Sequence, residues 1–263
     1  MKKYTIHISL LFLFITISCK NKTNNIPINE HKIQSMLWQQ NAAEYRALCY
    51  QAFNFAKLRL DDILENQNAD NPFAIIADID ETVLDNSPYD VMLIESDTRY
   101  EKSSWIEWGK LEIAKPVPGV LEFLSYANKK GIEIFYISNR YNEQLLETKN
   151  NLKKLGFPNA DDNHILLRKE VSSKKSRRAM VNNSHKIIML LGDNLTDFSE
   201  VYDNKKTKER NHLTDSLKHH FGNNFILLPN PIYGDWESKG IYEGKNWNII
   251  QEDSIRRSKI ISY

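Results

Sequence analysis

The chain has little sulfur to staple it. Of its two cysteines, Cys19 closes a leader-like segment and Cys49 is left without a partner, so an internal disulfide is excluded as a support of the fold. At 263 residues the protein must stand on its apolar core, for which a hydrophobic fraction of 41% is ample. A dominant charge is missing too: 35 Lys and Arg face 34 Asp and Glu, and a net charge of +1 gives no global field pointing to a nucleic acid polymer or an anionic membrane surface. There is no internal repeat and no long low-complexity tract, which sets aside solenoids and arrays. No apolar run reaches a comfortable membrane-spanning length.

What is present begins with an export signal. Lys2 and Lys3 precede an apolar run over 8–17, which ends at Ser18-Cys19 and gives way to polar residues from Lys20 to Asn25. Cys19 after a small residue predicts a bacterial lipoprotein, cleaved before the cysteine, acylated on it and anchored to the outer membrane. Thr16 and Ile17 depart from the usual Leu and small residue of such signals, and the competing reading is simple secretion with Cys19 discarded. The expected division is a signal peptide over 1–18, a tether over 19–29 starting at lipidated Cys19, and one domain over 30–263. That domain carries a helical satellite drawn from about 30–66 and 205–263.

From Glu30 to Glu65 apolar residues recur at helical spacing, among them Ile33, Met36, Tyr45, Leu48, Phe55, Leu60 and Ile63, which predicts one long helix or two. Cys49 lies inside this pattern and reads as a core thiol, with no His pattern to make it a nucleophile. Beyond Pro72, strand-like runs at 73–77, 132–138, 164–167, 187–192 and 225–228 alternate with predicted helices at 120–130, 141–155 and 174–181. Regular alternation of this kind predicts an α/β fold with a doubly wound parallel sheet.

The first of these runs, Phe73-Ala74-Ile75-Ile76-Ala77, ends abruptly in Asp78-Ile79-Asp80-Glu81-Thr82. A short apolar run of this kind fits a buried parallel strand, though periodicity alone does not separate it from a buried helical piece. Ligands of open α/β sheets sit beyond the carboxyl ends of the strands, where Asp78 and Asp80 would emerge. Carboxylates this close repel one another unless a cation or a shared proton relieves them, and Mg²⁺ is a hard ion suited to that task. A second apolar run, 187–192, ends in Asp193 and, four residues on, Asp197. Two such strands can bring their acidic ends to one metal.

The motif Asp78-Ile79-Asp80-Glu81-Thr82 is followed by Leu84-Asp85-Asn86-Ser87-Pro88-Tyr89, by Ser138-Asn139-Arg140 after an apolar strand, and by Gly192-Asp193-Asn194-Leu195-Thr196-Asp197. Together these resemble the class C bacterial acid phosphatases, the lipoprotein 5′-nucleotidase family of the haloacid-dehalogenase-like superfamily. The likeness runs from about Ile33 to the segment around Trp236, with the motifs in the family's order. It implies a five-stranded sheet in the order 3-2-1-4-5, a Mg²⁺-dependent phosphomonoesterase preferring nucleoside 5′-monophosphates, and a homodimer. Residue 80 discriminates within the superfamily, because an acid there suits a phosphatase and dehalogenase relatives lack it.

By the same resemblance, Asp78 is the nucleophile and Asp80 the acid that protonates the leaving oxygen. Ser138 donates to a phosphoryl oxygen, supported by Asn139 and Arg140. Lys174 neutralises phosphate charge, with Lys169 and Lys175 as rivals. Asp193 completes a Mg²⁺ shell with a carboxylate oxygen of Asp78 and the backbone carbonyl of Asp80, and Asp197 supports a metal-bound water or Lys174. Trp105, Tyr233 and Trp236 match positions that stack on a nucleobase. Two other readings stand beside this one: a phosphotransferase using the same aspartyl-phosphate, and a non-catalytic surface lipoprotein that binds nucleotides or haem.

Overall fold

The helical spacing over 30–65 resolves into α1 (Ile33–Asn41) and α2 (Ala43–Asn66), broken at Ala42, whose backbone turns to an extended ψ of 130°. In this computed structural model residues 26–67 and 70–263 are described. The expected signal peptide, Cys19 and the first part of the tether lie outside the described residues. Tyr45, Cys49, Phe53, Ala56 and Leu60 of α2 face inward, so Cys49 is a core thiol.

β1 (Phe73–Ala77) follows, and its apolar run is continuous because helices cover both faces of the sheet. Ile75 and Ala77 enter one apolar cluster, with α2, while Ala74 and Ile76 enter the other, the period-2 signature of a strand. β2 (Leu84–Asp85) and β3 (Lys115–Pro116) form a small antiparallel pair that brackets α3 (Ser87–Glu95) and α4 (Lys102–Leu111). α5 (Val120–Lys129) starts at Gly119, whose positive φ of 85° brings its backbone so close to α2 that a Cβ would meet Tyr50 and Phe53 at 3.0 and 3.1 Å.

β4 (Glu133–Tyr141) runs further than the 132–138 expected. Its register with the next strand shifts between Ser138 and Tyr141, so the chain pairs again beyond the irregularity, and α6 (Leu145–Lys154) begins four residues later than predicted. Then come β5 (Ile165–Arg168), α7 (Lys175–Asn182), β6 (Lys186–Gly192), α8 (Thr207–Ser216), β7 (Phe225–Leu227) and α9 (Ile249–Lys259). The sheet order is β5-β4-β1-β6-β7, all parallel, which is the expected 3-2-1-4-5 order of the five long strands.

The terminal helical segments flank this sheet at different places. α2 packs on α5 and reaches β7, whereas α9 packs on the short helical turn Trp236–Ile241. Their ends approach one another where His31 Nε2 lies 3.4 Å from Glu237 Oε1. The 205–263 stretch also contributes β7 to the core sheet.

Candidate active site

Every acidic motif residue leaves the sheet at its carboxyl edge. Asp78 directly follows β1 and its N–H donates to Leu191 O of β6 at 2.9 Å, so the ends of these two strands are tied side by side. The chain then turns tightly, with Val83 N and Leu84 N both 2.8 Å from Ile79 O. Asp193 follows β6. Gly192 before it has no side chain for a reason: a Cβ there would meet Asp197 Cβ at 2.5 Å, so only glycine lets Asp197 fold back over the strand end.

One oxygen from each of Asp78, Asp193 and Asp197 lies within 4.8 Å of the others. Lys174, the residue before α7, extends its ammonium into this group and pairs with Asp78 and, at 2.6 Å, with Asp197. That arrangement separates Lys174 from its rivals: Lys169 is exposed, and Lys175 is exposed and pairs with Glu200 at 2.9 Å. Thr82 Oγ1 and Asn230 Nδ2 donate to Asp193 at 3.2 and 2.8 Å.

Three carboxylates share one ammonium here, an excess of two negative charges in a buried place. Burial, opposed by Lys174 and reinforced by Asp197, Asp193 and Asp80, pushes the Asp78 carboxyl well above the usual range. Burial and then Asp197 push Asp193 up to about 7. Lys174 goes the other way from a lone buried lysine, because Asp197 and Asp78 outweigh its desolvation and hold it charged. A divalent cation supplies the missing two positive charges, and hard carboxylate oxygens are the donors that Mg²⁺ takes. Asp197 therefore belongs to the carboxylate group itself, where the sequence reading had set it behind.

Asp80 lies outside that group. Arg140 Nε donates to it at 2.8 Å, Asn86 Nδ2 at 2.9 Å and Ser138 Oγ at 3.2 Å. These partners hold its side chain, and the contribution expected of residue 80 to a cation is its backbone carbonyl. Asn86 is in turn fixed by Trp108 Nε1 at 2.9 Å and Arg140 Nη2 at 3.1 Å, both donating to its Oδ1. Ser138 is fully buried, accepts from Arg140 N at 3.0 Å, and has its hydroxyl on Asp80. In this arrangement it orients the acid rather than facing a phosphoryl oxygen. Asn139 Oδ1 accepts from buried Arg177 at 2.8 Å, which also donates to Ser138 O at 2.5 Å.

The carboxylates open into a cavity of about 560 Å³. Trp105 lines it, with Tyr89 edge-on at 5.0 Å and the Arg140 guanidinium 5.6 Å from its ring centre. Tyr233 lines it too, its hydroxyl donating to buried Glu81. Trp236 does not join them. It is 40% exposed, outside the cavity lining, with its indole N–H spent on Tyr233 O at 3.1 Å, which corrects the expectation that it stacks on a base. Sequence reasoning missed Tyr89, Tyr100, Tyr141 and Arg168, which also line the cavity, and Asn86, Arg177 and Asn230 behind it. Asn86 sits in the quoted Leu84–Tyr89 motif and was findable there. Tyr89 closes the same motif; the others carry no local signal, because only the fold brings them to the sheet edge.

The model of the HAD superfamily, subfamily IIIB (acid phosphatase) matches residues 15–236. Two crystal structures of the class C acid phosphatase from Bacillus anthracis, one with tungstate bound, are 38% identical to the chain. They cover 90% of it and are themselves covered completely, at TM-scores of 0.87 and 0.86. A soybean (Glycine max) stem 31 kDa glycoprotein is 27% identical over 125 residues, 45% of this chain. The chain spans about half the length of that relative, 49%.

Proposed function

Since the chain belongs to the acid phosphatases of the HAD superfamily, subfamily IIIB, we propose that it hydrolyses small phosphomonoesters, nucleoside 5′-monophosphates above all, through a phosphorylated Asp78. The observation that carries this reading is the pairing of Lys174 with Asp78 and Asp197 beside Asp193, which gathers a nucleophile and positive charge at one strand edge.

In this mechanism an Asp78 oxygen attacks phosphorus, the bond from phosphorus to the alcohol oxygen breaks, and Asp80 gives that oxygen its proton. Asp80 next takes a proton from water, whose oxygen attacks the aspartyl-phosphate and releases inorganic phosphate. Arg140, Asn86 and Ser138 keep Asp80 aimed through both steps. Lys174 orients Asp78 and offsets charge on the phosphoryl oxygens. A divalent cation, Mg²⁺ in our reading, held by Asp78, Asp193 and the carbonyl of Asp80, adds positive charge to those oxygens when bound.

Support for a nucleotide comes from a cavity of small-molecule size with aromatic faces at Trp105 and Tyr233. We also read residues 1–18 as a lipoprotein signal peptide cleaved before lipidated Cys19, and the protein as an exported, membrane-anchored homodimer.

The test uses protein beginning after Cys19. Phosphate release from adenosine 5′-monophosphate should require Mg²⁺ and stop with chelator. Asp78→Asn should lower turnover by a factor on the order of 10³ or more, and Asp80→Asn by roughly 10²–10⁴. Retained turnover in Asp78→Asn removes the covalent route. New phosphoesters formed with an added alcohol would indicate a phosphotransferase.

A further inference from the structure

Among the described residues four cationic side chains line the cavity: Lys32, Arg140, Arg168 and Lys174. Three of them are committed to carboxylates. Lys32 lies 3.5 Å from Asp90, Arg140 lies 2.8 Å from Asp80, and Lys174 pairs with Asp78 and Asp197. Arg168 has no carboxylate within 4.0 Å among the described residues.

What holds Arg168 is a ring. It ends β5, paired in register with Tyr141 of β4, and its guanidinium lies 4.3 Å from the Tyr141 ring centre. Tyr141 is itself fixed, with Tyr100 donating to its hydroxyl at 3.3 Å and Lys102 Nζ at 4.6 Å from its ring. Part of the Arg168 guanidinium serves the Tyr141 hydroxyl, and with five N–H donors in all it keeps others for a planar or tetrahedral anion, which a guanidinium binds with two parallel hydrogen bonds.

That anion is not the reacting phosphoryl group. The sheet order puts β4 between β5 and β1, and two strand spacings set Arg168 roughly 10 Å to the side of the strand that carries Asp78. The reacting group already has Lys174 and the carboxylate-bound cation of our reading. Arg168 lines the cavity together with Tyr100 and Tyr141, and on our reading of the reaction the leaving alcohol extends into that part.

We propose that Arg168 is a subsite for a second phosphate carried on the leaving alcohol, so that nucleoside bisphosphates are better substrates than the corresponding monophosphates. The proposal rests on the phosphomonoesterase reading above and narrows its substrate class.

The experiment compares adenosine 5′-monophosphate with adenosine 3′,5′-bisphosphate, following adenosine and adenosine 3′-monophosphate as the products of 5′-dephosphorylation. In the parent protein kcat/KM should be higher for the bisphosphate. Arg168→Gln should reduce that preference roughly 10- to 100-fold, mostly through KM, as expected for loss of a charged hydrogen-bonding partner. Arg168→Lys, which keeps the charge without the fork, should fall between. Equal losses on both esters, or no change in the ratio, overturn the subsite. So does a parent ratio at or below one, which needs no variant and stands even if Arg168→Gln fails to fold. A parent inactive on both esters instead sinks the phosphomonoesterase reading.

Discussion

Glu81 adopts a left-handed backbone with φ of 60°, a conformation that costs a non-glycine residue about 1–2 kcal/mol. It is also fully buried, and burial with the nearby Asp80 pushes its carboxyl well above the usual range. Two hydrogen bonds offset these costs: Asn86 N donates to Oε1 at 2.7 Å, and the Tyr233 hydroxyl donates to Oε2. The carboxyl thus joins the turn after β1 to the segment carrying Tyr233, which lines the cavity. Glu81→Gln, which keeps polar atoms for both partners, should stay within about 1 kcal/mol of the parent. Glu81→Ala should lose roughly 1–3 kcal/mol by leaving Asn86 N and the Tyr233 hydroxyl unpaired, and raise KM for nucleotides. Glu81→Gly provides the control, since it also removes the backbone cost. Chemical denaturation of the three variants decides, and a Glu81→Ala protein as stable as the parent would show that the side chain holds nothing in place.

At the opposite, amino-terminal edge of the sheet, β4, β5 and β6 are joined by a different cluster. Glu133 Oε2 lies 3.1 Å from His164 Nε2 and 3.2 Å from His185 Nε2, Asp161 accepts at His164 Nδ1 at 2.8 Å, and Phe135 packs against both imidazoles. Burial alone would lower His164, but the hydrogen bonds to Asp161 and Glu133 outweigh it and raise it above its ordinary value. Hydrogen bonding to His164 holds Glu133 below its ordinary value. The signs set a window. A raised histidine adds stability that is present below about pH 6.5 and fades as pH climbs through its folded value, while a lowered carboxyl adds stability present above about pH 4.5 and lost on further acidification. His164→Gln should therefore cost most near pH 5.5, on the order of 1 kcal/mol or about 2–4 °C in Tm, and least above pH 8. Thermal melts across pH check this, and a penalty independent of pH would contradict it. The strands on which this cluster sits were legible in the sequence because both their faces are buried and their apolar runs are unbroken. The cluster was not, since Glu133, His164 and His185 stand far apart in the chain. The extension of β4 past Ser138 was hidden for a related reason: the irregular pairing of Tyr141 with Arg168 breaks the alternation a strand normally shows. Of the site, the aspartates could be read because Asp78 and Asp193 each end an apolar run and Asp80 and Asp197 follow them closely. Arg168 and Trp236 could not be sorted, since one is recruited by tertiary placement and the other excluded by it.

Taken as a whole, the molecule closes its cavity with chain from three distant regions around the sheet edge. Asn29 Nδ2 donates to Leu93 O at 3.0 Å and Thr98 O at 2.6 Å, Lys32 meets Asp90, and His31 meets Glu237, so the residues before α1 lock the α3 segment and the turn after Tyr233 together. At the centre, β1 and β6 end in carboxylates that repel across the strand pair, and among the described residues Lys174 is the one cation paired with them. A divalent cation bound there acts on folding as well as on chemistry, because the unfolded chain does not hold Asp78 and Asp193 together and so binds the ion poorly. At a concentration about 100 times its Kd the stabilisation is about 2.7 kcal/mol, which for a chain of this size is roughly 5–10 °C in Tm. Mg²⁺ titration of the chelator-treated protein should show that rise. Asp193→Asn should abolish it while leaving the metal-free Tm unchanged or higher, since the substitution removes one of the crowded charges. A metal-free Tm that falls sharply in Asp193→Asn, with the Mg²⁺ response intact, would mean that Asp193 serves the fold and that the cation is held elsewhere.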